Sequence, residues 1–233
     1  MGLGRVRQLS RGMLPVSVTM FLFSAIGSRL TTLMSVRTVV RSGLVAVGVA
    51  TVALLWSIQP QLSGIGFALA MALLGVGMGL MASQLGNVVQ SSVDASGRGE
   101  AGGLQYTGQQ LGSSIGVALI GSIVLVGLTS GFVANVQADD RLDEAVGEQV
   151  SVAAGTGVDF VTAEQVEAAA LEAGLDEDSA AAVTEGYEDA QLQALKAGLL
   201  AAAVLALVSL AFTGSLPSER PERDPTAGSP VAR

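Results

Sequence analysis

The 233-residue chain contains no cysteine and no histidine. Their absence rules out disulfides, thiolate and imidazole metal sites, and any mechanism built on a Cys or His nucleophile or base. Charge is scarce as well. Only 14% of the residues are Asp, Glu, Lys or Arg, against about 25% in an ordinary soluble domain. No lysine- or arginine-rich face exists for nucleic acid. Carboxylates are left as the one metal-binding class, but they form no ligand pattern. Asp176, Glu177 and Asp178 lack the alternate-ligand spacing and the glycine of a calcium loop. The chain is therefore assigned no catalytic residue, no metal and no cofactor, and it is not read as an enzyme.

Apolar sequence is what the chain has in excess. Half the residues are hydrophobic and the mean hydropathy is +0.56, which points to an all-α, multi-pass membrane protein. Five apolar runs are visible, at residues 14–30, 38–58, 65–89, 101–131 and 197–213. About 20 apolar residues cross the roughly 30 Å hydrocarbon layer, so the longer runs cross with turns to spare. The run at 101–131 carries no charge but more glycine and amide than a lipid-facing helix needs. Gly108, Gly112 and Gly116 recur every four residues, placing them on one face where another backbone can come close. Gln105, Gln109 and Gln110 occupy its first turns, where amides in lipid are costly without partners. Gly75 and Gly79 form a similar small-residue pair in the third run.

The first 13 residues form a short basic head with Arg5, Arg7 and Arg11. Followed by an apolar run and small residues near Ala25 and Gly27, it has the outline of a secretory signal. The spans that follow favour a first membrane helix with Pro15 in its opening turn. Arg29, Arg37 and Arg41 lie in and just after the next connection, Trp56 sits where an interfacial aromatic belongs, and residues 59–64 make an uncharged turn. Residues 14–131 thus form a four-span membrane region.

Composition changes abruptly after it. Residues 132–192 hold fifteen acids against one base, Arg141, a local charge of −14. This segment reads as a soluble acidic loop with short alanine-rich helices, one opened by a Thr162-x-x-Gln165 capping pattern. A final span occupies 193–216, and 217–233 reads as a disordered tail. With five spans the termini fall on opposite sides. Placing Arg29, Arg37 and Arg41 in the cytoplasm also places Arg98 and the tail there and leaves the acidic segment outside. The three arginines of the head are discordant with this arrangement, as they would be if the start lay inside a longer gene.

Residues 109–118, QQLGSSIGVA, resemble the R-Q-L-G-G-x-x-G-x-A signature of fourteen-span drug:proton antiporters of the major facilitator superfamily. Leu14-Pro15 opening a span, then Gly27-Ser28-Arg29-Leu30 and Arg37, is similar to that family's LP…G-R-L…R connection. The glycine-rich third span, the S-G-x-G-E-A-G loop at 96–102 and the acidic loop before a last helix follow in the family's order. The departures are Gln109 in place of the usual arginine, Ser113 in place of a frequent glycine, and Thr31-Thr32-Leu33 where an acid and a further base are usual. The resemblance implies the last five spans of the second bundle of such a carrier.

It further implies a transporter that exports amphipathic molecules in exchange for protons. No Asp, Glu, Lys or His lies within the five runs, and an intramembrane carboxylate is the usual proton carrier. The chain is therefore expected to be a C-terminal fragment, inactive without an N-terminal bundle. Its candidate cavity residues are Gln84, Asn87, Gln105, Tyr106 and Gln109, with Met78, Met81 and Leu85 beside them. The same amides serve equally in interhelical hydrogen bonding. Expected partners are the lipid bilayer of the cell membrane, the N-terminal bundle and an amphipathic small molecule. The alternative is a non-transporting five-span scaffold that displays its acidic outer loop to a partner.

Overall fold

Long apolar runs without internal breakers close their backbone hydrogen bonds within one segment, as helices do, and the described residues contain no strand. The computed structural model describes residues 2–30, 33–57, 65–91, 93–155 and 157–215. Its helices are α1 (Gly2–Leu30), α2 (Val36–Ser57), α3 (Ile65–Ser91), α4 (Arg98–Ala138), α5 (Glu144–Ala154), α6 (Ala163–Glu172) and α7 (Glu177–Phe212), with a 3-10 turn at Thr213–Ser215. Four carry runs long and apolar enough to cross a membrane: Val36–Ser57, Ile65–Gly86, Arg98–Ala138 and Glu177–Phe212. Leu14–Gly27 within α1 is a shorter apolar helix. The all-α architecture expected from composition is what forms. The turn at 59–64 and the tail at 217–233 lie outside the described residues.

Three boundaries differ from the sequence reading. The head is helical from Gly2, so Pro15 sits inside α1 and not in its opening turn. Thr19 Oγ1 donates to the Pro15 carbonyl at 2.7 Å one turn further on. α4 continues to Ala138 and α7 starts at Glu177, so both helices run deep into the segment read as a loop. At 1.5 Å per residue, α4 is about 60 Å long, twice the hydrocarbon thickness.

The chain divides into two units. The first contains residues 1–54, 63–106 and 203–233. Here α1, α2 and α3 pack through glycine. A methyl group at Gly79 would lie 2.5 Å from the Met20 carbonyl oxygen, and one at Gly75 would strike Val16 and Thr19. Gly77, on another face of α3, meets α2, where a methyl would lie 2.7 Å from the Gly43 carbonyl oxygen. Contacts advance together along α1 and α3 but in opposite senses along α2 and α3, so α2 runs antiparallel to its two neighbours. Val39, Leu44, Ala50, Leu54, Ala70 and Leu80 are buried. Arg41 Nε donates to Thr213 Oγ1 at 2.8 Å, and the Arg37 guanidinium donates to the Gly214 carbonyl. These bonds join the beginning of α2 to the end of α7.

The second unit contains residues 55–62 and 107–202. Its core is Leu128, Phe132 and Val136 of α4 against Val183, Tyr187, Ala190 and Ala194 of α7, closed by Ala154 of α5. The α4 and α7 positions recur every three or four residues, which is one stripe of a helix. Gly127 faces Ala194 and Gly131 faces Ala190, so the two helices run antiparallel at close range. The acidic segment is thus a folded helical module, with its acids on the surface. Of the fifteen, fourteen are exposed and Asp139 is half-buried.

Candidate functional site

Among the described cavity candidates Gln84 is the most deeply buried, at 1% exposure. It lies where α3 passes the end of α1. Its Nε2 donates to the Gly27 carbonyl and to Ser83 Oγ, each at 2.9 Å, while Ser83 Oγ donates to the Leu80 carbonyl at 2.6 Å. Gly27 is among the last four residues of α1, whose carbonyls lack an intrahelical donor. Gln84 therefore closes the end of α1, which is the interhelical role open to it in the sequence. Its Oε1 is buried and accepts no hydrogen bond among the described residues. Met81 is half-buried beside Gly43, and Met78 and Leu85 are exposed. The Asn87 side chain lies outside what is described.

The other candidates stand on α4. Gln105 is half-buried in the first unit, and Tyr106 is 64% exposed there. Gln109 is exposed in the second unit. No described atom beyond the helix's own backbone lies within 4 Å of a methyl group placed at Gly108, Gly112 or Gly116. Only 11% of the apolar window of α4 is buried within this chain. Gly75 and Gly79 thus lie against the backbone of α1, whereas no described atom packs against the α4 glycine row.

Several organising residues were not singled out in the sequence. Tyr187 is buried against Phe132, edge to face, with ring centroids 5.6 Å apart. Its hydroxyl donates to the Asp159 carbonyl at 2.9 Å and accepts the Val161 N–H at 2.8 Å. Thr129 Oγ1 accepts the Val158 N–H at 3.3 Å, and Gln191 Nε2 donates to the Val161 carbonyl at 3.3 Å. These bonds strap the connection between α5 and α6 across α4 and α7. Asn135 Nδ2 also donates to the Gly186 carbonyl at 2.9 Å. The i, i+4 recurrence of Leu128, Phe132 and Val136 was the available signal, obscured by the acids around it.

Charge fixes the corners of this module. Arg141 bonds Asp139 at 2.6 Å and Glu185 at 2.8 Å, tying the end of α4 to α7. The Arg141 side chain, with its backbone N–H, holds the Asp139 carboxyl down at about 2. Asp139 first, then Glu185, raises the Arg141 guanidinium above its ordinary value. Asp176 Oδ1 accepts the Ser179 N–H at 3.3 Å at the start of α7, and the Ser179 side chain first, then that N–H, lowers its carboxyl. Gln165 Oε1 accepts the Thr162 N–H at 3.0 Å and completes the capping box of α6. Asp176 is therefore a cap of α7, and Asp139 and Glu185 are corner ties. Among the described residues no group of three or more potential ligands could hold a metal ion.

No protein-family model, no curated protein and no solved structure matches the chain.

Proposed function

We propose that the chain is the C-terminal part of a proton-coupled exporter of amphipathic molecules, of the fourteen-span type in the major facilitator superfamily, and resides in the cell membrane. One observation carries the reading: the α4 span presents Gln109 and the Gly108, Gly112 and Gly116 row with none of this chain's described helices packed against that row. Unpartnered amides are expensive in hydrocarbon, and a row of small residues lets a second backbone come close. That face suits helices supplied by another segment. The ordered motifs from Leu14-Pro15 to the 109–118 signature support the same assignment.

In this reading the α1–α2–α3 assembly is a rigid block, since Gly43, Gly75, Gly77 and Gly79 are already met by neighbouring backbone. The exposed α4 face forms a wall of the substrate path. Its amides and Tyr106 orient polar groups while apolar neighbours take the hydrophobic body. The proton is carried elsewhere, because no carboxylate lies within the apolar runs.

Removing the coding region from its host is expected to raise accumulation of a fluorescent lipophilic dye several-fold. Cells that express this chain alone are expected to export no dye above vector controls. Unchanged accumulation in the deletion strain across a panel of dyes would favour the scaffold reading, for which the folded acidic module is the display surface. Sustained, gradient-dependent efflux by the chain alone would overturn the division of labour.

A further inference from the structure

The first unit contains a hollow that the transport reading does not use. It is a groove of about 260 Å³ between α2 and the end of α7, lined by apolar groups alone. Leu44, Gly48 and Val52 form one wall, with Ala203, Ala206 and Leu210 opposite. Gly48 makes the hollow, since no described neighbour lies within 4 Å of a methyl placed on it. A groove of this composition offers no hydrogen bond to water or to a polar ligand, so it suits hydrocarbon.

One end of the groove is different. Arg41 stands one turn before Leu44 on α2, and Thr213 stands one turn beyond Leu210. Their 2.8 Å hydrogen bond fixes the guanidinium at the mouth. Arg41 is exposed and spends only its Nε–H on Thr213, so its terminal amino groups have no partner among the described residues. Arg37 is one turn further back, on the Gly214 carbonyl. Neither α2 nor α7 beyond Lys196 contains an acid, so nothing on these elements neutralises the mouth. From Leu44 to Val52 the groove runs about 12 Å along α2, less than half the hydrocarbon thickness. With Arg41 at the headgroup level of a bilayer, it would therefore fit within one leaflet.

We propose that this groove holds an acyl chain of an anionic membrane phospholipid whose phosphate sits on Arg41. A guanidinium offers a planar fork matched to phosphate oxygens, and the apolar trough takes the chain that hangs from it. The proposal rests on the membrane reading above, and it names a lipid class that the transport reading does not require.

The test uses the full chain extracted from membranes in mild detergent. Native mass spectrometry follows retention of phosphatidylglycerol and phosphatidylcholine bearing identical acyl chains. The wild type should retain phosphatidylglycerol about five-fold more, the advantage expected of one basic residue near an anionic headgroup. Arg41→Gln should erase that preference. Gly48→Leu, which enters open space and leaves the fold intact, should reduce retention of both lipids. Equal retention of the two lipids by the wild type, or undiminished retention by Gly48→Leu, overturns the proposal while leaving membrane residence standing. Release of the chain from membranes by alkaline carbonate overturns both.

Discussion

Gly79→Leu is expected to dismantle the contact between α1 and α3 and to remove most of the full-length chain from the membrane fraction. A methyl at this position already lies 2.5 Å from the Met20 carbonyl oxygen and 3.0 Å from the Ser24 amide nitrogen. Both obstacles are backbone, so no rotamer change makes room. Overpacking of this kind costs about 1–3 kcal/mol for added methylenes where side chains can yield, and here they cannot. Gly79→Ala separates packing from propensity. Alanine in a helix interior gains about 1 kcal/mol over glycine, so a lower thermal midpoint in detergent shows that the steric contact outweighs that gain. Gly112→Ala, at a position with no described neighbour within 4 Å, is the opposite case and should raise the midpoint slightly. If Gly79→Ala and Gly112→Ala behave alike, the glycine-packed block is wrong.

The second large effect is expected at Tyr187. Tyr187→Ala removes a ring that is 1% exposed and packed edge to face on Phe132. It also strips the Val161 N–H of its acceptor. Truncating a buried aromatic costs about 3–5 kcal/mol, a large share of what a small helical module has to spend. Opening of the connection between α5 and α6 should then dominate, and limited proteolysis of the membrane-bound chain should cut there at least a hundred-fold faster. Tyr187→Phe keeps the ring and loses the hydroxyl, and should fall between the two. Cleavage of Tyr187→Ala at the wild-type rate would mean that residues 132–192 are the loose acidic loop their composition suggests.

These two sites mark where the sequence is legible and where it is not. The five apolar runs stand out because each is long and almost uncharged, and Thr162 with Gln165 announces the start of α6 through a local hydrogen-bond pattern. Gly75 and Gly79 are readable for the same reason, since their spacing alone puts them on one face. The extents of α4 and α7 are not readable from composition. Leu128, Phe132 and Val136 recur as a helical stripe, but the acids that follow them from Asp139 dominate any average taken over the segment. Gln84 is ambiguous for another reason. A glutamine in an apolar helix serves a ligand or a neighbouring carbonyl equally well, and only the position of Gly27 at the end of α1 decides. The α4 glycine row is plain in sequence, yet no described part of this chain covers it.

The central claim is that α4 crosses the bilayer once, with the 92–97 connection on one side and the acidic module on the other. The absence of native cysteine makes single-cysteine labelling direct. Ser96→Cys and Glu188→Cys, both at exposed positions, are treated in intact cells with a membrane-impermeant maleimide. Labelling of Glu188→Cys in intact cells, with Ser96→Cys reached only after permeabilisation, is the predicted result. Equal labelling of both before permeabilisation, or of neither, would place the two on one side and contradict the account.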